Sequence, residues 1–448
     1  MQLKKKRRCS SFQVILLGFA GLILTGTLLL MLPFASVKEG SASFLDALFT
    51  ATSATCVTGL VVQDTATYWT MFGQFIILLM IQIGGMGVVT AAIALTTLSG
   101  KKIGLMQRST LQESIAAPQV GGIVRLSRFI VKGMFLIELI GAIAMFPVFY
   151  RDFGLAKGIW YAVFHSISAF CNAGFDLMGV RAKFSSLTSY DLNPLINLCV
   201  IALIITGGIG FLVWEDIVRH RFKFRKYRMQ TKVVIVTSAL LIVLPTLFYY
   251  FHDFSRPIWK GYSGGEKLLL SLFQAVSPRT AGFNTVDLNL LSGPGRGIMI
   301  ILMLIGGSPG STAGGMKTTT LAVALSTMIA VFRRQESSRF FGRRVPNETV
   351  RYAMAVLMMY LVLFLFGTVA LSCLDGCSLG QSAFEAASAI GTVGLTLGIT
   401  PGLCTASHLI LVLLMFFGRV GGLTIIFAAV SGTRSNLSEV PKEKITVG

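Results

Sequence analysis

Charge is scarce in this 448-residue chain: only 13% of residues are Asp, Glu, Lys or Arg, about half the share of an ordinary soluble domain. The deficit falls on acids, 19 against 39 Lys and Arg. Histidine is rarer still, with four residues scattered at 165, 220, 252 and 408. No paired carboxylates and no nucleophile–base set stand at useful spacing, so the chain does not read as an enzyme. The seven cysteines (9, 56, 171, 199, 373, 377 and 404) are odd in number and show no zinc-ligand spacing. A disulfide among Cys373, Cys377 and Cys404 has nothing in the spacing to support it. No G-x-G-x-x-G follows a strand, so the chain carries no dinucleotide site of its own.

Apolar sequence fills the space that charge leaves. Hydrophobic residues make up 54% of the chain, and its mean hydropathy is +0.74. Several runs exceed 18 residues with few charges, the signature of transmembrane helices. The start, MQLKKKRRCSSF, is basic and precedes QVILLGFAGLILTGTLLLMLPF. That run exceeds the apolar core of a cleaved signal peptide, so we expect a retained first span.

Four short stretches resemble one another: SATCVTGL (53–60), SAFCNAGF (168–175), SPRTAGFN (277–284) and AIGTVGLT (389–396). Their central glycines, Gly59, Gly174, Gly282 and Gly394, are 115, 108 and 112 residues apart. Each follows a moderately apolar segment too short to cross a bilayer, as a re-entrant half-helix is. Longer apolar runs flank every half-helix, at 12–34 and 71–98, 129–150 and 195–214, 233–251 and 297–331, 352–372 and 407–430. The expected fold is an all-α membrane protein of four pseudo-symmetric repeats, each helix–re-entrant pore helix–helix, around a central ion pore. We divide it at 1–98 (repeat one), 99–228 (a cytoplasmic linker and repeat two), 229–332 (repeat three) and 333–448 (linker, repeat four and a short tail). The second span of each repeat also carries a glycine break: QIGGMGVV, ITGGIGFL, LIGGSPGSTAGGMK and FGRVGGLT. In repeats one, two and four close helix packing is enough to explain it.

The basic residues sort by side. The N-terminus, the linkers and the tail hold 27 Lys/Arg and 7 Asp/Glu, and the opposite side 10 and 11. That asymmetry places both termini in the cytoplasm and the four glycine loops outside. It makes membrane lipids or a cytosolic partner the expected contacts of the basic face, and RHRFKFRKYR (219–228) a helix-end cluster rather than a nucleic-acid site.

Non-helical backbone at membrane depth must be buried in protein or line water. Four equivalent loops that meet on one axis can turn carbonyl oxygens inward, glycine permitting φ > 0. Such a ring can replace the water shell of a cation, and the C-terminal ends of the half-helices favour positive charge there. A second reading remains, a secondary cation transporter with a midplane site formed by broken helices. It predicts inverted halves, whereas these repeats run parallel. GGSPGSTAGGMKTTT (306–320) nearly spells a phosphate loop, but Met316 separates Lys317 from the glycine, and an apolar helix, not a strand, precedes it.

The four motifs, with the glycine-rich break, resemble the membrane subunits of the Trk/Ktr/HKT superfamily of potassium transporters, and most of all the Ktr type. The resemblance covers essentially the whole chain. It implies a selectivity filter at Thr55, Cys56, Val57, Thr58 and Gly59; Phe170, Cys171, Asn172, Ala173 and Gly174; Pro278, Arg279, Thr280, Ala281 and Gly282; and Ile390, Gly391, Thr392, Val393 and Gly394. K+ would bind at backbone carbonyls of these residues. One glycine per repeat, where TVGYG has two, implies fewer defined sites and less strict selectivity.

The resemblance also implies a gate in the third repeat: Gly306, Gly307, Ser308, Pro309, Gly310, Ser311, Thr312, Ala313, Gly314, Gly315, Met316 and Lys317. Arg419, at the fourth glycine break, would donate to loop carbonyls and place a positive charge in the ion path. The alternative is a pairing with a carboxylate such as Glu138. The family further implies a homodimer in a bacterial cell membrane and a cytosolic, KtrA-like ring of RCK subunits that binds ATP or ADP. The chain itself needs no cofactor, and sodium as activator or coupled ion is left open.

Overall fold

The computed structural model describes residues 10–37, 40–98, 103–115, 121–221 and 223–421. The basic residues 1–9, parts of the first linker and the tail from 422 onward lie outside the described residues, as do the expectations placed on them.

The first repeat opens with α1 (Ser11–Leu30), capped by Ser10 and Gln13 in a reciprocal box. Then come the half-helix α2 (Phe44–Cys56) and an inner span of α3 (Met71–Met86) and α4 (Val88–Leu98). The following linker holds α5 (Leu105–Ile115). In the second repeat α6 runs Ile123–Phe170, broken at Gly154 (φ 76°, ψ −175°) into an outer span and a half-helix. Its inner span is α7 (Pro194–Gly208) and α8 (Phe211–His220). The third repeat comprises α9 (Met229–Phe248), the half-helix α10 (Gly264–Val276), α11 (Gly293–Leu304) and α12 (Thr318–Phe332). The fourth comprises α13 (Asn347–Asp375), the half-helix α14 (Leu379–Gly391) and α15 (Thr405–Val420). Among the described residues the all-helical expectation holds but for a hairpin of two-residue strands, Arg339–Phe340 against Arg343–Arg344, in the linker before α13.

The order helix, half-helix, inner helix recurs four times. The outer helices α1, α6, α9 and α13 are each long and apolar enough to cross a membrane. They turn Leu24 and Leu28, Leu139 and Ile143, Leu240 and Leu244, and Leu365 and Phe366 outward, as the periphery of a bundle does when its solvent is lipid. Small residues crowd the centre instead. Ala51, Thr52, Ser53 and Ala54 of α2 and Ala386, Ala387, Ser388 and Ala389 of α14 are fully buried.

The glycine breaks do more than permit packing. The inner spans of repeats one and two bend by 96° and 97°, at Gly87 (φ 87°) and Gly210 (φ 103°). Three residues earlier in each, and in repeat four as well, a glycine lies against a half-helix. A Cβ at Gly84, Gly207 or Gly418 would strike the carbonyl oxygen of Thr55, Phe170 or Ile390. Packing accounts for this first glycine of each pair; the turn needs the second, since φ > 0 strains any side-chain-bearing residue.

Candidate functional site

Each half-helix is followed by a left-handed residue that is not glycine: Val57 (φ 57°), Asn172 (φ 59°), Thr280 (φ 69°) and Thr392 (φ 52°). Two residues later each repeat has its glycine, at φ 94°, 67°, 78° and 93° for Gly59, Gly174, Gly282 and Gly394. Four left-handed residues of this kind cost roughly 1–2 kcal/mol each and persist only where other contacts over-determine them.

A serine does this in every repeat. The N–H groups of Thr58, Ala173 and Val393 donate to the carbonyls of Ser53, Ser168 and Ser388 at 2.8 Å, and that of Ala281 to Ser277 at 2.9 Å. The serine hydroxyls finish the turn. Ser53 and Ser388 accept from the N–H of Gly59 and Gly394, both at 3.0 Å. Ser168 donates to the carbonyl of Phe175 at 2.7 Å, and Ser277 to that of Phe283.

With the N–H groups turned back toward the half-helices, the carbonyls of Thr58, Ala173, Ala281 and Val393 accept no hydrogen bond among the described residues. They close a ring instead. A Cβ at Gly59 would lie 2.5 Å from the oxygen of Ala173, and one at Gly174 2.8 Å from that of Ala281. One at Gly282 would strike the oxygen of Val393, and one at Gly394 that of Thr58. The contacts therefore run from repeat one to two, three, four and back to one. Four unpaired carbonyls and four half-helix C-termini converge there, an arrangement suited to a desolvated monovalent cation.

The remaining residues of the four stretches support this ring. Thr55 and Cys56 form the last turn of α2, Phe170 ends α6 with Cys171 as its cap, and Ile390 and Gly391 end α14. Pro278 and Arg279 lie in the turn after α10. Asn172 reaches the neighbouring repeat at Thr280, its side-chain amide 3.1 Å from the Thr280 hydroxyl.

On the side of α12 the third inner span is broken by residues 305–317. The loop is stitched to the three other repeats. Ser308 and Thr312 N–H donate to the carbonyls of Gly208 (2.9 Å) and Gly207 (3.2 Å), and Gly315 N–H to that of Gly418 (3.1 Å). The Thr312 hydroxyl donates to Phe170 O at 3.1 Å. Arg419 donates to the carbonyls of Thr312, Gly84 and Gly85 and so ties the loop to repeat one. Lys317 Nζ donates to Ala313 O (2.7 Å) and Gly314 O (3.1 Å) within the loop. Gly314 lies directly below Thr392: a Cβ there would strike the Thr392 hydroxyl. Arg419 makes no ion pair among the described residues. Glu138 instead accepts from Gln82 Nε2 at 2.9 Å, and the pairing of Arg419 with Glu138 is not formed.

Sequence reasoning marked the glycines and missed the serines. The signal was present: each repeat carries F-x-x-x-S in its half-helix or running into its cap, at Phe49 and Ser53, Phe164 and Ser168, Phe273 and Ser277, Phe384 and Ser388. Cys373, Cys377 and Cys404 are free thiols.

Fold and ring together define a four-repeat membrane protein built to pass a cation. Residues 10–438 match the model of the TrkH family, cation transport proteins. The potassium/sodium uptake protein NtpJ of Enterococcus hirae is 38% identical, with 100% of this chain and 99% of that protein covered. The Ktr system potassium uptake protein B of Bacillus subtilis is 39% identical, over 95% of this chain and 94% of that protein. The crystal structure of the potassium transporter TrkH from Vibrio parahaemolyticus superposes with a TM-score of 0.73 at 20% identity, covering 95% of this chain and 86% of that one. The chain belongs to the TrkH family of cation transport proteins, a family of membrane transporters and not of enzymes.

Proposed function

We propose that the chain is the pore-forming subunit of a potassium uptake system and that the ring of Thr58–Gly59, Ala173–Gly174, Ala281–Gly282 and Val393–Gly394 is its selectivity filter. The observation that carries this is the cyclic contact of four glycines with four unpaired carbonyls. Relatives named as potassium uptake proteins agree with it. K+ enters from outside, down a membrane potential worth about 2.3 kcal/mol per charge per 100 mV. One ring of ordered glycines gives discrimination against Na+ that is real but modest.

The loop at 306–317 is the gate on this reading. Its contacts with Gly207, Gly208 and Gly418 and its latch at Arg419 support that role, as does its place beneath Thr392. Two copies of the chain form the working dimer, each with its own pore. A cytosolic RCK ring that binds ATP or ADP docks on the basic face and biases the loop, with Na+ as activator or coupled ion. Both termini face the cytoplasm.

The test is complementation of a potassium-uptake-deficient bacterium, with and without a candidate RCK subunit, followed by rubidium uptake with sodium competition. Rescue by the parent, with loss of rubidium-over-sodium preference in Gly59→Ser or Gly394→Ser, is the expected result. Glycine variants that keep the parental preference would remove the filter assignment.

A further inference from the structure

Behind the ring lies a second set of residues, identical in position and different in chemistry. The residue after the phenylalanine of each F-x-x-x-S motif is Thr50, His165, Gln274 or Glu385. All four side chains are buried. The third residue past each repeat's glycine is, respectively, Val62, Leu177, Thr285 and Leu397.

Three of the four bind the residue so placed in their own repeat. His165 Nε2 accepts the N–H of Leu177 at 3.3 Å, while its Nδ1 lies 2.7 Å from the carbonyl of Tyr161. One nitrogen accepting and the other facing an acceptor fixes the neutral Nδ1–H tautomer. The ring is held flat by Phe149, stacked at 5.1 Å. Gln274 Nε2 donates to the Thr285 hydroxyl at 3.2 Å. Glu385 accepts the Leu397 N–H at 3.2 Å, together with the hydroxyls of Thr396 and of Thr400, the latter at 2.8 Å. Thr400 is anchored in turn, with His408 Nε2 2.8 Å from its carbonyl. Thr50 makes no such bond, and its hydroxyl has no partner among the described residues.

We infer that His165, Gln274 and Glu385 are positioning residues for ion discrimination: they clamp the chain just outside the glycine in repeats two, three and four and leave repeat one as the compliant quarter of the ring. The serines secure the inner side of each turn, and these residues secure the outer side. A carbonyl ring selects among cations only while its oxygens resist collapsing onto a smaller ion or spreading round a larger one. Stiffness therefore has to come from bonds on both sides of each carbonyl. These residues act through the segment that follows the glycine, His165 and Glu385 at a backbone N–H and Gln274 at the Thr285 hydroxyl. The inference rests on the filter reading above.

The experiment is rubidium uptake by the full-length chain in proteoliposomes, read as half-saturation concentration, maximal flux and inhibition by sodium. His165→Ala and Glu385→Ala remove a clamp; His165→Gln and Glu385→Gln keep an acceptor for the same N–H; Thr50→Val is the control. The alanine variants should raise the half-saturation concentration roughly tenfold, the scale of leaving a buried N–H without its acceptor, and weaken discrimination against sodium more than they lower maximal flux. The glutamine variants should restore both quantities, since a glutamine side-chain carbonyl can accept the same N–H. Thr50→Val should match the parent. Folded alanine variants with parental half-saturation and discrimination would overturn the inference, as would a Thr50→Val shift of equal size. Where an alanine variant does not fold, the glutamine variants decide: near-parental discrimination supports the clamp, and its full loss overturns it. Gly394→Ser is measured alongside. If it too leaves discrimination unchanged, the filter reading fails first; if it alone alters discrimination, only the clamp is lost.

Discussion

Arg419, at the end of the last described helix, donates to the carbonyl of Thr312 in the loop that breaks the third inner span. The same guanidinium reaches Gly84 and Gly85 of repeat one, so one side chain joins three repeats. An arginine inside a membrane protein, half-buried with carbonyl partners and no described acid, is expensive and marks function. If the loop is the gate, Arg419 holds its obstructing arrangement and opposes a passing cation. Arg419→Gln should then raise rubidium flux in proteoliposomes and reduce dependence on the cytosolic subunit. A folded variant with parental flux and parental dependence would dismiss the latch.

A side chain at Gly282 meets two obstacles at once. The backbone is left-handed there, costing roughly 1–2 kcal/mol for any L residue, and a Cβ runs into the carbonyl of Val393. Gly282→Ala should therefore displace that oxygen and flatten the preference for potassium over sodium without preventing membrane insertion. Sodium competition against rubidium uptake is the measurement, and an unaltered preference counts against the ring.

Ser388 holds Gly394 by its hydroxyl and Val393 by its carbonyl. Ser388→Ala removes only the first bond and leaves a buried N–H unsatisfied, a loss of about 1–3 kcal/mol. The expected outcome is a lower unfolding temperature in detergent together with a weaker apparent affinity for rubidium. Ser388→Thr, which restores the hydroxyl, should recover the affinity; a variant indistinguishable from the parent in both readouts would show that the bond is idle.

The Glu266 carboxylate sits outside the spans, in the cap of α10. It accepts the N–H of Ser263 at 2.6 Å, and that backbone bond, aided by the Ser263 hydroxyl, holds it below the ordinary glutamate value of 4.5. A depressed carboxylate stabilises the fold fully above its unfolded value, and the contribution fades as pH falls through the lower, folded value. Thermal unfolding of Glu266→Ala should therefore trail the parent at pH 7, with the gap narrowing below about pH 4. A gap that widens in acid would reverse the sign.

How much of this was legible beforehand follows from what each residue demands locally. Gly59, Gly174, Gly282 and Gly394 declare themselves because a left-handed backbone against a neighbouring carbonyl admits nothing larger. Apolar runs declare the spans because lipid requires them over a fixed length. Repetition then exposes the fourfold plan, since four copies of one unit bury the same face in the same way.

Other features are invisible locally. Val57 and Thr392 are β-branched, so nothing in their chemistry forecasts a positive φ; the serine bonds on either side impose it. The 96° and 97° turns at Gly87 and Gly210 look in sequence like helix packing, because a glycine that turns and one that packs read alike. Arg419 had a carboxylate and a set of carbonyls to choose between, and only the folded chain decided, by giving Glu138 to Gln82 and bringing Thr312, Gly84 and Gly85 within reach. Sequence by itself determined the apolar spans, the four half-helices and the four glycines, through backbone sterics and hydrophobic length. Tertiary structure alone decided which carbonyl faces which glycine and which donor holds which loop, because those pairs stand as many as 335 residues apart and meet only when four repeats close on one axis.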